Sequence, residues 1–274
     1  MLSFYKLLAM KNLLPILILS FCAMPVFAQQ NAPAKQIWAD EFEVDGTPDS
    51  SKWAFNSGDN GWGNNELQYY TNELRNARVE NGLLIIEAHK DTNRPKGYTS
   101  SRLVTKGKGT WTYGYVEVKA KLPKGVGTWP AIWMLSETSP YGGWPKSGEI
   151  DIMEHVGFDP AVIHGTVHTE AFNHSIGTDV GKVKTIADFN TEFHTYAIDW
   201  KRDKIDFYID NELYFTFTNS EKSTAEWPFD HPFHLILNLA VGGNWGGQKG
   251  VDPSIWPQRM EIDYVRIFDK KPGS

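Results

Sequence analysis

The feature that most constrains this chain is a period of two. Its apolar and β-branched residues fall in short alternating runs, and no stretch carries the 3.6-residue period of a long amphipathic helix. Met260-Glu261-Ile262-Asp263-Tyr264-Val265-Arg266-Ile267-Phe268 is such a run, as are Tyr113-Gly114-Tyr115-Val116-Glu117-Val118-Lys119-Ala120, Thr195-Tyr196-Ala197-Ile198-Asp199-Trp200 and Lys204-Ile205-Asp206-Phe207-Tyr208-Ile209. Alternation turns one side chain to a core and the next to solvent or a groove. Gly, Pro, Asn and Asp separate the runs, and Asp210-Asn211 between two of them predicts a hairpin turn. Ser220 to Glu226 offers one short helix at most. The pattern predicts an all-β, antiparallel sandwich or barrel, and 274 residues without an interior linker predict one large domain rather than two.

The N-terminus reads as an address. Leu13 to Phe27 is nearly all apolar, Lys11 precedes it, and Val26-Phe27-Ala28 places small residues at the −3 and −1 positions before Gln29. This predicts a signal peptide over 1–28, with Met10 an alternative start, then a polar leader over 29–34 and a β domain over 35–270. Secretion or periplasmic export follows, without stable membrane insertion, because the apolar run is short for a membrane span. The single Cys22 lies inside it behind the bulky Phe21, so a lipid anchor is not expected and the mature chain has no disulfide. A formal charge of −6 and the lack of Lys/Arg runs exclude a nucleic-acid partner, whose phosphates need a basic surface. Aromatic residues make up 14% of the chain, which suits a core and flat stacking surfaces. A monomer is expected.

Chemistry concentrates in Gly148-Glu149-Ile150-Asp151-Ile152-Met153-Glu154-His155. On a regular strand Glu149 and Asp151 share a face, whereas Glu154 points the other way. A one-residue bulge near Ile152-Met153 would return Glu154 to their side. Three crowded carboxyls must raise at least one pKa, and a raised carboxyl can act as an acid at neutral pH. Two carboxyls roughly 5 Å apart are what retaining glycoside hydrolysis needs. A solvated strand with alternating acids and a calcium site of oxygen ligands are the competing readings. Upstream, Trp129 and Trp133 share a strand face with the small Ala131 between them, and Trp144 and Trp245 lie in Gly-rich loops. Indoles beside acids suit the faces of pyranose rings; core packing is the alternative for each.

The run Glu149-Ile150-Asp151-Ile152-Met153-Glu154 with His155-Val156-Gly157 resembles the active-site signature of glycoside hydrolase family 16, in the bulged branch that contains bacterial laminarinases. Trp38-Ala39-Asp40-Glu41-Phe42, Asn64-Asn65-Glu66-Leu67-Gln68-Tyr69-Tyr70-Thr71, Gly127 to Met134, His164-Gly165-Thr166-Val167-His168-Thr169 and Asn238 to Trp245 are similar to segments of that branch in the same order. The resemblance implies a concanavalin A-like β-jelly-roll with a concave cleft and a β-glucan substrate, β-1,3-linked, with mixed β-1,3-1,4-glucan a second candidate. It implies Glu149 as nucleophile, Glu154 as general acid/base and Asp151 as their helper, with no catalytic cofactor. It also implies that His168 sits beside the acid/base and the sugar, and that Asn65 and Arg102 hydrogen-bond sugar hydroxyls. A structural calcium is implied too, held by Asp263 and by the backbone carbonyls of Glu41 and Gly82. Asp263 could instead cap a turn or pair with Arg266.

Three alternatives stay open at this level. His164 and His168, four apart, could share a transition metal, although no third nitrogen or sulfur ligand is evident. The chain could be a non-catalytic β-glucan-binding module on the same sandwich, which the presence of both Glu149 and Glu154 disfavours. It could also hydrolyse a marine galactan such as agarose or carrageenan, for which a groove more basic than a charge of −6 suggests is expected.

Overall fold

The computed structural model describes residues 1–2, 32–219 and 223–273, so the predicted signal peptide beyond its first two residues, with Met10 and Cys22, lies outside the described residues. Contacts divide the chain into Met1–Ala32 and Pro33–Ser274, and every strand among the described residues belongs to the second unit. The strands are β1 (Gln36–Asp40), β2 (Ala54–Phe55), β3 (Gln68–Tyr70), β4 (Ala77–Glu80), β5 (Leu83–Lys90), β6 (Tyr98–Ser100), β7 (Arg102–Val104), β8 (Gly114–Lys121) and β9 (Thr128–Ser136). They continue with β10 (Glu149–Glu154), β11 (Val162–His168), β12 (Val180–Thr185), β13 (His194–Trp200), β14 (Lys204–Ile209), β15 (Glu212–Thr218), β16 (Phe233–Val241) and β17 (Gln258–Phe268). The one helical turn among the described residues is a 3₁₀ turn at His174–Ile176. The helix expected at Ser220 to Glu226 is not formed in its described part, where 224–226 make a turn.

A seven-stranded sheet in the order β12-β11-β10-β9-β16-β7-β2 is entirely antiparallel. A ten-stranded sheet runs β15-β14-β13-β8-β17-β5-β6-β3, with β1 on β17, β4 on β5 and one parallel pair, β3 and β6. The fold is the antiparallel β-sandwich of the jelly-roll kind. One continuous core joins Val116, Val118, Ile198 and Val265 of the larger sheet to Ile132, Met134, Ile150 and Leu237 of the smaller. That buried surface supplies the stability which cysteines cannot.

The seven-stranded sheet places the site, because its second face carries the polar residues of the alternation. Directly opposed residues of an antiparallel pair share a face. Asn238 on β16 opposes Ala131 on β9 and Arg102 on β7, so these three stand in one row on the side away from the core. β16 is buried at all nine positions, one face against the core and the other at the floor of that row. The hairpin at Asp210-Asn211 forms as expected: both residues have positive φ, 50° and 64°, and Ile209 pairs with Glu212 across a two-residue turn.

Candidate active site

The three acids of β10 are brought together by a slip in register. On β9, Glu149 opposes Leu135 and Asp151 opposes Trp133, but Met153 then opposes Ile132 and Glu154 opposes Ala131. β10 spends three residues from Asp151 to Glu154 where β9 spends two. This one-residue bulge sends Ile152 and Met153, both buried, into the core and returns Glu154 to the face of Glu149 and Asp151. The bulge predicted near Ile152-Met153 is present. Gly157 is required just beyond it, since a Cβ there would lie 1.8 Å from the carbonyl oxygen of Gly125.

Burial dominates the electrostatics. It pushes Glu154 up to about 7, with the charges of Asp179 and Glu66 adding to it; against it works the Trp129 indole, whose Nε1 donates to Glu154 Oε1 at 3.0 Å. Glu149 is pushed up to about 8, by burial first and then by the charge of Glu154, while hydrogen bonds from Trp144 and Asp151 and the charge of Arg102 favour its anion. Asp151 is held well above the carboxylate range by burial and by both neighbouring acids, and it donates to Glu149. Protonating Glu154 removes the repulsion that raises Glu149. Three groups then stabilise the Glu149 anion, against one for Glu154. Burial and the neighbouring charges thus keep the Glu149 and Glu154 pair from full ionisation near neutral pH, beside an Asp151 that holds its proton.

His168 lies across the strand pair from Glu149. Its Nε2 is 3.3 Å from Asp151 Oδ2 and 3.9 Å from Glu149 Oε1, and burial lowers its pKa to about 4, so the ring is neutral. This corrects the expectation that His168 flanks the acid/base: His164, not His168, opposes Glu154. It also corrects the shared-metal reading. Four residues along a strand span roughly 13 Å, too far for one ion. The His164 ring instead stands edge-on to Trp245 at 4.8 Å.

The aromatic residues line the same row. Trp129 packs edge-on against Trp245 at 5.6 Å, and Trp133 Nε1 donates to Asn238 Oδ1 at 2.6 Å. Arg102 lies 4.8 Å from the rings of both Trp62 and Trp133, held between two indoles. Asn65, at φ 55°, donates through Nδ2 to Asn244 Oδ1 at 2.8 Å and so ties its loop to that of Trp245. Every residue expected to bind sugar is therefore on or beside the row. Four more, not singled out from the sequence, belong to it. Asn238 donates to the Tyr70 hydroxyl at 3.1 Å, Tyr70 donates to Glu66 at 3.2 Å, and Gln68 donates to the same Glu66 oxygen at 2.6 Å. Glu66 is thus a fourth buried carboxyl at the site, and burial raises its pKa. The signal for it was the parity of Glu66, Gln68 and Tyr70. Trp144, 44% exposed, packs against His174 and His168 at 5.0 and 6.0 Å. A pocket of about 300 Å³ opens between Trp144, Arg102, Lys106 and His234.

Glu41, Gly82 and Asp263 lie near the pairing of β17 with β1 and β5. On β17 Ile262 pairs with Leu84 of β5, and Val265 pairs with Asp40 of β1. Between them β17 changes partner, with an irregularity between Ile262 and Tyr264 against β8. Glu41 follows Asp40, Gly82 precedes β5, and Asp263 lies on β17 between the positions paired to those two strands. The Glu41 carboxylate is bound at 2.8 Å through both oxygens by Arg266, and Asp263 lies 2.8 Å from Lys119. Arg266 thus pairs with Glu41, not with Asp263. The carbonyls of Glu41 and Gly82 with the Asp263 carboxylate would offer oxygen donors alone, the chemistry a hard cation takes, provided Asp263 exchanged Lys119 for it.

The chain matches the family described as Glycosyl hydrolases family 16 over residues 61–266. It is 53% identical to a beta-glucanase of Rhodothermus marinus over 85% of this chain and 84% of that one. It is 41% identical to a glucan endo-1,3-beta-glucosidase of Cryptopygus antarcticus over 91% and 96% of the two chains. In structure it is similar to the laminarinase of Rhodothermus marinus, with a TM-score of 0.85 and 51% identity, covering 88% of this chain and all of that one.

Proposed function

The chain belongs to glycosyl hydrolases family 16, and on that footing we propose that this glycoside hydrolase cleaves β-1,3-glucan of the laminarin type inside the chain, with retention of configuration. The observation that carries the reading is the bulge of β10, which sets Glu149 and Glu154 on one face beside Trp129 and Trp133. In this reading the two indoles and Trp245 take up pyranose faces, while Arg102, Asn65 and His168 take up hydroxyls.

Glu149 attacks the anomeric carbon as a carboxylate, its charge spread by donation from Trp144 and Asp151. Glu154 donates its proton to the departing glycosidic oxygen, and then, as a carboxylate, removes a proton from the water that cleaves the glycosyl ester. Asp151 keeps its proton, orients Glu149 and limits the negative charge of the site to what the reaction uses. Burial matters here because it holds Glu154 protonated near neutral pH.

Glu149→Gln is expected to abolish laminarin hydrolysis while leaving folding and oligosaccharide binding intact, since the amide keeps the shape but cannot attack. Activity above a few per cent of wild type would remove Glu149 from the nucleophile role. Proton NMR of the first product should show the β-anomer; an initial α-anomer would mean inversion. Reducing-sugar release from laminarin, lichenan and agarose side by side separates the β-1,3-glucanase from a mixed-linkage or galactan hydrolase, and binding without release would mark a non-catalytic module. The protein is further proposed to act outside the cytoplasm as a monomer. Mass spectrometry of the exported protein should find Gln29 at its N-terminus.

A further inference from the structure

We propose that Glu149, Asp151 and His168 form a binding site for a transition metal ion of the Zn²⁺ class, which holds the enzyme inactive by occupying the place of the reacting sugar. Among the described residues these three make the one set of metal-ligating side chains whose atoms all lie within 4.8 Å of one another. A tetrahedral zinc with bonds of roughly 2.0–2.2 Å to nitrogen and oxygen separates its ligand atoms by about 3.4 Å. The His168 Nε2 to Asp151 Oδ2 distance of 3.3 Å fits that edge, and the 3.9 Å to Glu149 Oε1 lies within a small side-chain movement of it.

The donors are already in place before any ion arrives. His168 and Glu149 are directly opposed on β11 and β10, and Asp151 follows two residues along on the same face, so the sheet fixes all three. Asp151 Oδ2 is buried and makes no hydrogen bond, in a residue only 2% exposed. His168 Nδ1 is likewise buried without a hydrogen bond, so no partner fixes the ring's tautomer against coordination through Nε2. Glu149, the most exposed of the three, borders the cleft and leaves a coordination position open on that side. The ion would displace the Asp151 proton to the solvent, and one imidazole with the two carboxylates then selects zinc and its neighbours over calcium or magnesium, which prefer oxygen alone. Asp179 adds negative charge close by. Coordination would tie up the Glu149 oxygen that attacks the sugar, so only the inhibitory half of the proposal rests on the reading of Glu149 as nucleophile.

Isothermal titration of the untagged protein with Zn²⁺ should give one equivalent bound and a rise in Tm with zinc. His168→Gln and Asp151→Asn should each weaken binding by roughly tenfold or more. His164→Gln should leave it unchanged, because that ring lies roughly 13 Å along the strand. Equal weakening in His164→Gln, undiminished affinity in His168→Gln, or no binding up to about 1 mM Zn²⁺ would each overturn the site. Should His168→Gln not fold, Asp151→Asn and Glu149→Gln carry the same test by titration. None of these readouts uses glucan hydrolysis, so their failure leaves the glucanase reading standing. In the active enzyme Zn²⁺ should inhibit competitively with laminarin; inhibition of another type would refute the occlusion of the sugar.

Discussion

Trp129 links sugar recognition to proton transfer in one side chain. Its ring packs against Trp245, and its Nε1 donates to Glu154, favouring the ionised form of an acid that burial pushes up to about 7. The donor step needs Glu154 protonated, so kcat/KM should fall as pH rises through its pKa. Trp129→Phe keeps an aromatic face and removes the N–H. The Glu154 pKa should then rise, and the alkaline limb of kcat/KM should move upward by about half to one pH unit, the equivalent of one hydrogen bond. A limb that stays in place in a folded variant would show that this bond does not govern the acid. KM should rise as well, through the poorer stacking surface. Glu66 acts at the same scale, where a carboxyl turned inward among Gln68, Tyr70 and Asn238 orders the floor beneath Trp133.

At the scale of one strand, the bulge of β10 converts a spacing of five into a shared face. Two consecutive apolar residues, Ile152 and Met153, both reach the core because the bulge inserts one position without a partner on β9. Deleting Met153 leaves Glu154 four positions from Glu149, where regular pleating alone puts both acids on one side. The deletion should cost about 2–5 kcal/mol from the lost buried side chain, seen as a lower Tm, yet retain measurable glucanase activity with a changed preference between laminarin and lichenan. A deletion variant that folds and hydrolyses neither substrate would mean that the bulge sets the acid geometry itself, beyond the choice of face. Met153→Leu, which keeps the chain length and nearly the volume, should hold activity near wild type.

For the whole molecule, the seam on β17 joins strands from both ends of the chain, β1 and β17, to β5. A cation at Glu41, Gly82 and Asp263 would bind the folded state alone, and at a hundredfold excess over its Kd it adds about 2.7 kcal/mol. Tm in chelator should fall below Tm in excess calcium, and Asp263→Ala should abolish the difference; equal values in the wild type would exclude a stabilising calcium there. The alternation of polar and apolar residues was enough to read the β-sandwich, the hairpin at Asp210-Asn211 and the need for a bulge in the run from Glu149 to Glu154, because parity along a strand is a local property. The octapeptide also carried the carboxyls themselves. Pairing across strands is not local. That His168 stands beside Asp151 rather than Glu154, that Arg102 lies between Trp62 and Trp133, that Arg266 takes Glu41 and leaves Asp263 to Lys119, and that Glu66 turns inward were all fixed by strand register. So was the separation of His164 from His168, whose spacing of four means one turn on a helix and about 13 Å on a strand. Which residues alternate is written along the chain; which of them meet depends on the strand laid beside them, and only burial in the finished sandwich sets the charge each one carries.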